Sequence, residues 1–355
     1  MYKSVVVEFR PKLQSVNVFV CLNDECEETV VELLESSFKV SLKCSSRSLT
    51  VEFGPFKAQT STLSSLKTSK NFISFRFFTQ KTSTAMGSFK TELITNQSRP
   101  KGVVDVATVE PNTNYMIKCQ NCQKGLLETP IKFDRVLPLP DNLDSGDWFC
   151  HAHDLPPKND RLEPKPKDLF YAHCFVKINC DILRNYFEKN QIMVCKSCFN
   201  WLGVKEGGTA KLWFNTVSFN QITTRGLADL NSMVKKLFAN SLFNSLKILL
   251  LYRDANGMKN YLLLWVLEKC LKINMKTPKE PDRECEVAKT LFRYFEGDNH
   301  DLVRQWKAEH NVEFMEVSRN MFLEVMKDLY LYNKVYPIEF SRANDFLVSY
   351  LFLYQ

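Results

Sequence analysis

The sequence predicts an α+β protein in three parts: an antiparallel β-sandwich or barrel over residues 1–114, a cysteine-clipped middle module over 115–223, and an α+β domain over 224–355. Three observations carry this expectation. Short runs of β-branched and aromatic residues, each closed by a polar turn, recur through the N-terminal part. Two Cys-x-x-Cys pairs, Cys119/Cys122 and Cys195/Cys198, stand in the middle. From residue 224 onward the apolar residues change to three- and four-residue spacing, the period of an amphipathic helix.

Residues 4–9, 16–22, 38–42, 49–53 and 72–78 read as strands, and 30–34 as either a strand or one helical turn. No catalytic constellation falls among them, so this part reads as a scaffold or docking domain. Residues 79–114 are rich in Ser, Thr, Lys and Asn and read as a loop with one strand near 89–94. Within the middle module, residues 154–168 carry four prolines among many charges, the composition of an exposed extended connection. Leu227, Leu230, Met233, Val234 and Leu237 then mark a helix. Residues 246–251 and 261–266 read as buried strands around the turn residues Asp254-Ala255-Asn256-Gly257. Residues 285–295, 302–310 and 321–331 read as helices, and 345–353 as a strand that closes a sheet.

Composition narrows the class. A chain of 355 residues is long enough for about two ordinary cores, and 45% hydrophobic with 25% charged residues is a globular balance. The excess of Lys and Arg (47) over Asp and Glu (40) gives +7, small for this length and not gathered in a basic stripe. Direct nucleic-acid binding is therefore not expected. Glu8 and Arg10 interrupt the N-terminal apolar run, which is not the pattern of a secretory signal. The longest apolar runs, 248–252 and 261–267, fall short of the roughly 20 residues of a membrane span, so no membrane partner is expected. An intracellular, cytoplasmic and nuclear, location follows as the expectation. There, twelve cysteines read as metal ligands, core residues or nucleophiles rather than disulfides.

The two Cys-x-x-Cys pairs are separated by 72 residues. A two-residue spacer lets one turn aim both sulfurs at a tetrahedral ion, and two such turns supply the four thiolates of a closed structural zinc site. One structural zinc on Cys119, Cys122, Cys195 and Cys198 is the expectation; two unrelated pairs of surface cysteines is the plainer alternative. A redox pair would need a thioredoxin-like βαβ setting, which the pattern lacks. Glycines follow both pairs, at Gly125 and at Gly203, where the chain can turn away.

Between the pairs lies Leu137-Pro138-Leu139-Pro140, then an acidic stretch, then Trp148-Phe149-Cys150-His151-Ala152-His153. The prolines favour an extended backbone and the aromatics offer anchoring area. Three readings stay open. The stretch is a loop packed on the zinc module, a second metal site with His173 or Cys174, or a protruding segment that offers Cys150 to a partner.

The order of these pieces resembles the HECT-like ubiquitin-protein ligase family: a first Cys-x-x-Cys, the Leu-Pro-Leu-Pro segment, a Trp-x-Cys-His, and a second Cys-x-x-Cys followed by Leu202-Gly203. The 261–267 run resembles the family's C-terminal part. The resemblance implies a protein that accepts ubiquitin from a ubiquitin-conjugating enzyme and promotes its transfer to substrates. It also implies contact with the zinc-dependent endonuclease that cleaves pre-mRNA at its 3′ end. In the family, the Leu-Pro-Leu-Pro to Cys-His segment is similar to one that plugs the nuclease active site. Carried over, Cys150 beside His151 reaches the metals, and Leu137, Pro138, Leu139, Pro140, Trp148 and Phe149 make the partner contacts. The chain departs from a HECT ligase in one respect. Covalent transfer needs an activated cysteine near the C-terminus, and nothing after Cys285 is a cysteine. Glu284 and Glu286 flank Cys285 and oppose its ionisation, while Cys270 reads as packed. The expected activity is E3 ubiquitin ligation without a convincing catalytic cysteine. The alternatives are a non-enzymatic inhibitor or assembly chaperone of the metallonuclease, and a nucleic-acid-binding zinc protein.

Overall fold

Every second residue of the first strand faces a different core, and that alternation organises the molecule. The computed structural model describes residues 2–353 apart from 24, 26–27, 44–46, 55, 81–108, 140–162, 242–244 and 279. The expected N-terminal strands are present as Tyr2–Arg10, Ser15–Leu22, Ser37–Leu42, Arg47–Glu52 and Phe72–Phe78, and the ambiguous segment is the strand Thr29–Leu33. A further strand, Ser64–Ser69, pairs with Phe72–Phe78 at the sheet edge. All six of its residues are exposed, so no apolar alternation marked it in the sequence. The expected strand near 89–94 lies outside the described residues.

Val5, Val7 and Phe9 pack against Phe38, Val40 and Val51 of a three-stranded sheet, Thr29–Leu33, Ser37–Leu42 and Arg47–Glu52, and against Phe53 just beyond it. Val6 faces the opposite way, into a core with Leu271, Ile273, Val287, Tyr336 and Tyr350. The first strand is therefore central. It pairs with Ser15–Leu22 on one side and with the far end of Lys259–Thr277 on the other, in the register Val5↔Lys276 to Phe9↔Lys272. Strands from both ends of the chain thus share one curled, largely antiparallel sheet of ten strands, and the fold is mostly β.

The spine of that sheet is a long hairpin, Lys259–Thr277 with Glu280–Glu296. At about 3.4 Å per residue its first strand reaches roughly 60 Å, enough to serve two cores in turn. Register shifts between Val266 and Leu271 mark the change from one to the other. Leu246–Arg253 pairs with its first half and carries Val312–Glu316 in parallel. Phe346–Leu351 closes the far side against Ala288–Phe292 of the second strand.

One expected helix is corrected. Residues 285–295 belong to the strand Glu280–Glu296. Val287 and Leu291 pack on one face of the sheet, Ala288 and Phe292 on the other. A strand buried on both faces need not alternate, and its apolar pairs mimic helical spacing. The other expected helices stand as α1 (Gly226–Asn240), α2 (Asp301–Ala308) and α3 (Arg319–Asn333). Ser318 caps α3 by accepting from the Met321 N–H at 3.1 Å. Among the described residues no helix is long and apolar enough to cross a membrane.

The middle of the chain forms a seven-stranded sheet from Arg135–Pro138, Asp168–Tyr171, Phe175–Asn179, Thr209–Trp213, Trp201–Glu206, Ile192–Cys195 and Tyr186–Lys189, in that spatial order. Met193, Cys195 and Leu202 turn into a core of its own with Phe133, Phe214 and Phe219. Ile192, Val194, Trp201 and Trp213 turn the other way, onto α1, α3 and the Leu246–Arg253 strand. Buried charge spans that second interface: the Lys211 Nζ donates to Glu316 at 2.8 Å and lies over the rings of Phe175 and Trp213.

Among the described residues Glu8 is the most buried charge, fully inaccessible on the face opposite Val7. Lys289 Nζ (2.6 Å), Tyr336 OH (2.6 Å) and Tyr350 OH (2.7 Å) all donate to its Oε1. Burial raises its pKa, but the Lys289 ammonium and these donors outweigh burial and hold it down at about 2. A depressed carboxylate stabilises the fold above its unfolded pKa of about 4.3, and the contribution is lost as pH falls toward 2. We expect Glu8→Gln to cost about 3–5 kcal/mol near neutrality, because Lys289 is left buried and unpaired. Urea unfolding across pH should show the variant less sensitive than wild type between about pH 4.5 and 2; equal sensitivity would contradict this role.

Candidate metal centre

Cys119 closes the short strand Ile117–Cys119, which pairs with Val217–Phe219, and Cys195 closes Ile192–Cys195. Each then enters the same turn. The Gln123 N–H donates to Cys119 O (2.9 Å) and the Cys119 N–H to Lys124 O (2.9 Å). In the second turn, Phe199 N–H donates to Cys195 O (3.0 Å) and Cys195 N–H to Asn200 O (2.9 Å). Both turns need a left-handed residue just after the second cysteine, and Gln123 (φ 61°) and Phe199 (φ 57°) supply it. The glycines that follow do not make the turns. Gly203 lies in a strand, where an added Cβ would stand 2.1 Å from Lys211 O, so it serves close strand approach.

The two knuckles face each other. Cys119 Sγ lies 3.6 Å from Cys198 Sγ, Cys122 Sγ lies 3.7 Å from Cys195 Sγ, and all four sulfurs fall within 4.8 Å of one another. A tetrahedral ion with sulfur at about 2.3 Å sets its ligands about 3.8 Å apart, and a disulfide would bring two sulfurs to about 2.05 Å. The arrangement is that of a metal site, and it could hold one ion. Among the described residues it is the single such cluster of three or more His, Cys, Asp or Glu side chains.

Its electrostatics agree. Cys119 and Cys195 are buried in the module's core, Cys198 is half-buried and Cys122 is exposed. Burial pushes the Cys119 thiol up to about 12. For Cys122 the Lys124 N–H favours the thiolate, yet burial and the Cys198 and Cys195 sulfurs together raise its pKa. Burial also opposes ionisation of Cys198, but donors from Asn121 and the Asn200 N–H prevail and hold it near about 7. A soft divalent ion would displace thiol protons and take all four sulfurs as ligands, leaving no coordination position open for a reacting water.

The Leu-Pro-Leu-Pro segment begins in the same sheet. Arg135–Pro138 pairs in parallel with Asp168–Tyr171 at the sheet edge, and the Leu139 N–H donates to Tyr171 O at 2.7 Å. Arg135 grips the buried Asp168 with two hydrogen bonds, the Nε one at 2.8 Å. Leu137 and Pro138 sit on this strand, with Leu137 exposed. Pro140, Trp148, Phe149, Cys150, His151 and His153 lie outside the described residues. His173 Nε2 is 2.7 Å from Ser232 Oγ, and Cys174 is buried against Met233 with its thiol pKa raised by burial. Neither joins the four-cysteine cluster. Cys270, expected to be packed, is instead exposed on the strand Lys259–Thr277, and Cys285 is half-buried opposite Ile273; neither stands at a helix N-terminus.

Sequence reasoning missed the junction that ties this module to the helices. Asn215 Nδ2 and Thr224 Oγ1 both donate to Asp229 Oδ2 at 2.6 Å, and Ser318 Oγ donates to Asn215 Oδ1 at 2.6 Å. Burial lifts Asp229 to about 6. Isolated polar residues at helix starts carry no sequence signal of such a network beyond their capping propensity.

Fold and site together define a mostly β protein clipped across its middle by a four-cysteine centre. The chain belongs to the family described as HECT-like ubiquitin-conjugating enzyme (E2)-binding, which it matches over residues 8–348. The resemblance read from the central motifs therefore extends over nearly the whole chain, and it associates the protein with the ubiquitin pathway through E2 binding. No curated protein and no solved structure matches it.

We expect one divalent ion per chain by elemental analysis of folded protein. Cys119→Ser or Cys195→Ser should lose it and unfold the middle module, because such ions contribute folding free energy directly. Well-folded protein without metal would contradict the assignment.

Proposed function

We propose that the chain is an E3 ubiquitin-protein ligase that binds a ubiquitin-loaded E2 and promotes transfer by positioning it, with zinc as the structural ion. The observation that carries the reading is the E2-binding family match over residues 8–348. The four-thiolate set suits zinc, which takes sulfur ligands in tetrahedral structural sites. A covalent relay finds little support in the two C-terminal cysteines. Cys270 and Cys285 lie within strands rather than at a helix N-terminus, one of the settings that activates a thiolate, and Glu284 and Glu286 flank Cys285.

The second reading, which uses a different surface, is inhibition of a zinc-dependent pre-mRNA 3′-end endonuclease. Residues 136–154 enter the nuclease cleft, with Trp148 as anchor and Cys150 beside His151 at its metals. The edge strand Arg135–Pro138 and the Arg135–Asp168 pair favour it, because they anchor the segment's root at the sheet rim. A thiolate bound there would occupy the position of the attacking water in a two-metal mechanism.

Discharge of ubiquitin from a loaded E2 onto free lysine tests the first reading. Wild-type protein should accelerate it, and Cys270→Ala and Cys285→Ala should act as wild type. A reducible ubiquitin adduct on either cysteine, lost on its mutation, would show a covalent relay instead. No acceleration would leave the non-enzymatic inhibitor or assembly chaperone as the better account. Cys150→Ala should leave discharge alone while restoring cleavage by the nuclease; equal inhibition by wild type and variant at matched occupancy would refute the plug.

A further inference from the structure

Ile338 is 79% exposed and lines a groove of about 910 Å³ between the end of α3 and the ends of the N-terminal strands. The groove falls within the roughly 300–1,000 Å³ of ligand sites. Cys21, Leu22, Phe72 and Tyr336 give it a buried apolar floor, and Tyr330 and Ile338 leave apolar area open to solvent along its wall. Apolar surface of this kind with a charged rim marks a place of contact.

The walls are already fixed. Ser4 Oγ donates to Val335 O at 3.0 Å, and Asn333 Nδ2 donates to Ser341 O at 2.7 Å and Val348 O at 2.8 Å. Between these ties Tyr336 OH is bound to Glu8 at 2.6 Å, and Phe340 meets the Phe72 ring edge-on at 5.6 Å. Residues 333–341 therefore need little further ordering when something enters the groove.

The rim is basic. Lys3, Lys334 and Arg342 line the groove and are exposed, and Glu339 is the one carboxylate in its lining among the described residues. Three cations less one carboxylate leave the lining at +2. Among the described residues none of the three cations forms an ion pair, whereas Lys43, Arg184 and Lys205 elsewhere on the surface each do. Lys67, over the Phe340 ring at 5.6 Å, adds to the same sign. A concave surface with one dominant sign concentrates its potential on whatever enters.

We infer that this groove docks an extended acidic peptide segment of another protein, with one bulky apolar side chain against Tyr330 and Ile338 and carboxylates toward Lys3, Lys334 and Arg342. A nucleic-acid backbone fits less well, because its phosphates would find no partner on the apolar floor. The site uses neither the cysteine cluster nor the E2-binding reading.

Fluorescence polarisation of the full chain with two labelled peptide libraries tests this. One library sets a central Leu or Phe among Asp and Glu, and the other sets the same centre among Lys and Arg. The acidic library should bind about tenfold tighter or more, and Ser in place of its central residue should weaken it by about tenfold. Ile338→Ser should weaken it to a similar extent. The Lys334→Glu, Arg342→Glu double variant should weaken it several-fold and flatten its salt dependence. All three positions are exposed, so these variants should melt as wild type; if Ile338→Ser melts lower, the double variant decides. Lys132→Glu, an exposed cation of the middle module, should bind as wild type. Equal binding of the two libraries, binding of neither, or indifference to the Ile338 and Arg342 variants overturns the assignment. A dimer in sedimentation that Ile338→Ser dissociates would make a second copy the occupant, and overturns it too.

Discussion

Four sulfurs from two turns 72 residues apart in sequence converge within 4.8 Å, and the middle of the molecule depends on that closure. Without an ion the arrangement is unfavourable. Two of the sulfurs are buried beside aromatic core residues, and burial pushes the Cys119 thiol up to about 12. With an ion, the same burial strengthens each metal–sulfur bond by excluding water. The cluster also stands at the ends of two strands, Ile117–Cys119 and Ile192–Cys195, so one bound ion would tie a two-stranded sheet to the edge of the seven-stranded one.

Two buried charge pairs extend this order outward. Lys211 and Glu316 join the middle sheet to the strand Val312–Glu316, and Glu8 with Lys289 joins the first strand to the long hairpin. Each pair is almost withdrawn from water, so its value lies in specificity as much as in stability: a misplaced register would bury an unpaired charge. The result is a ten-stranded sheet in which the N-terminal strand cannot form its full set of partners until the last hundred residues are present.

Much of this was legible in the sequence, for local reasons. The strands around Val5, Val18, Val40 and Phe75 show themselves by β-branched and aromatic runs, and α1 by the spacing of Leu227, Leu230 and Val234. The metal centre is legible because two-residue cysteine spacers have few other uses. What failed did so where tertiary context overrides local pattern. Residues 285–295 look helical because both faces of their strand are buried, and Ser64–Ser69 looks like a loop because neither face is. The pairing of Val5 with Lys276 leaves no local trace at all. Glycines drew attention as the turning points of the knuckles, while Gln123 and Phe199 make the turns and Gly203 permits strands to approach. Asp229 gave no warning of its burial.

Hydrogen exchange of the full chain before and after metal extraction, with the metal content of the same samples recorded, tests the central claim most directly. A metal-clipped middle module predicts that extraction releases protection at residues 117–126 and 192–202. Tyr2–Arg10 and Glu280–Glu296, held by Glu8 and Lys289, should stay protected. Protection of the knuckles unchanged in demonstrably metal-free protein would contradict the account.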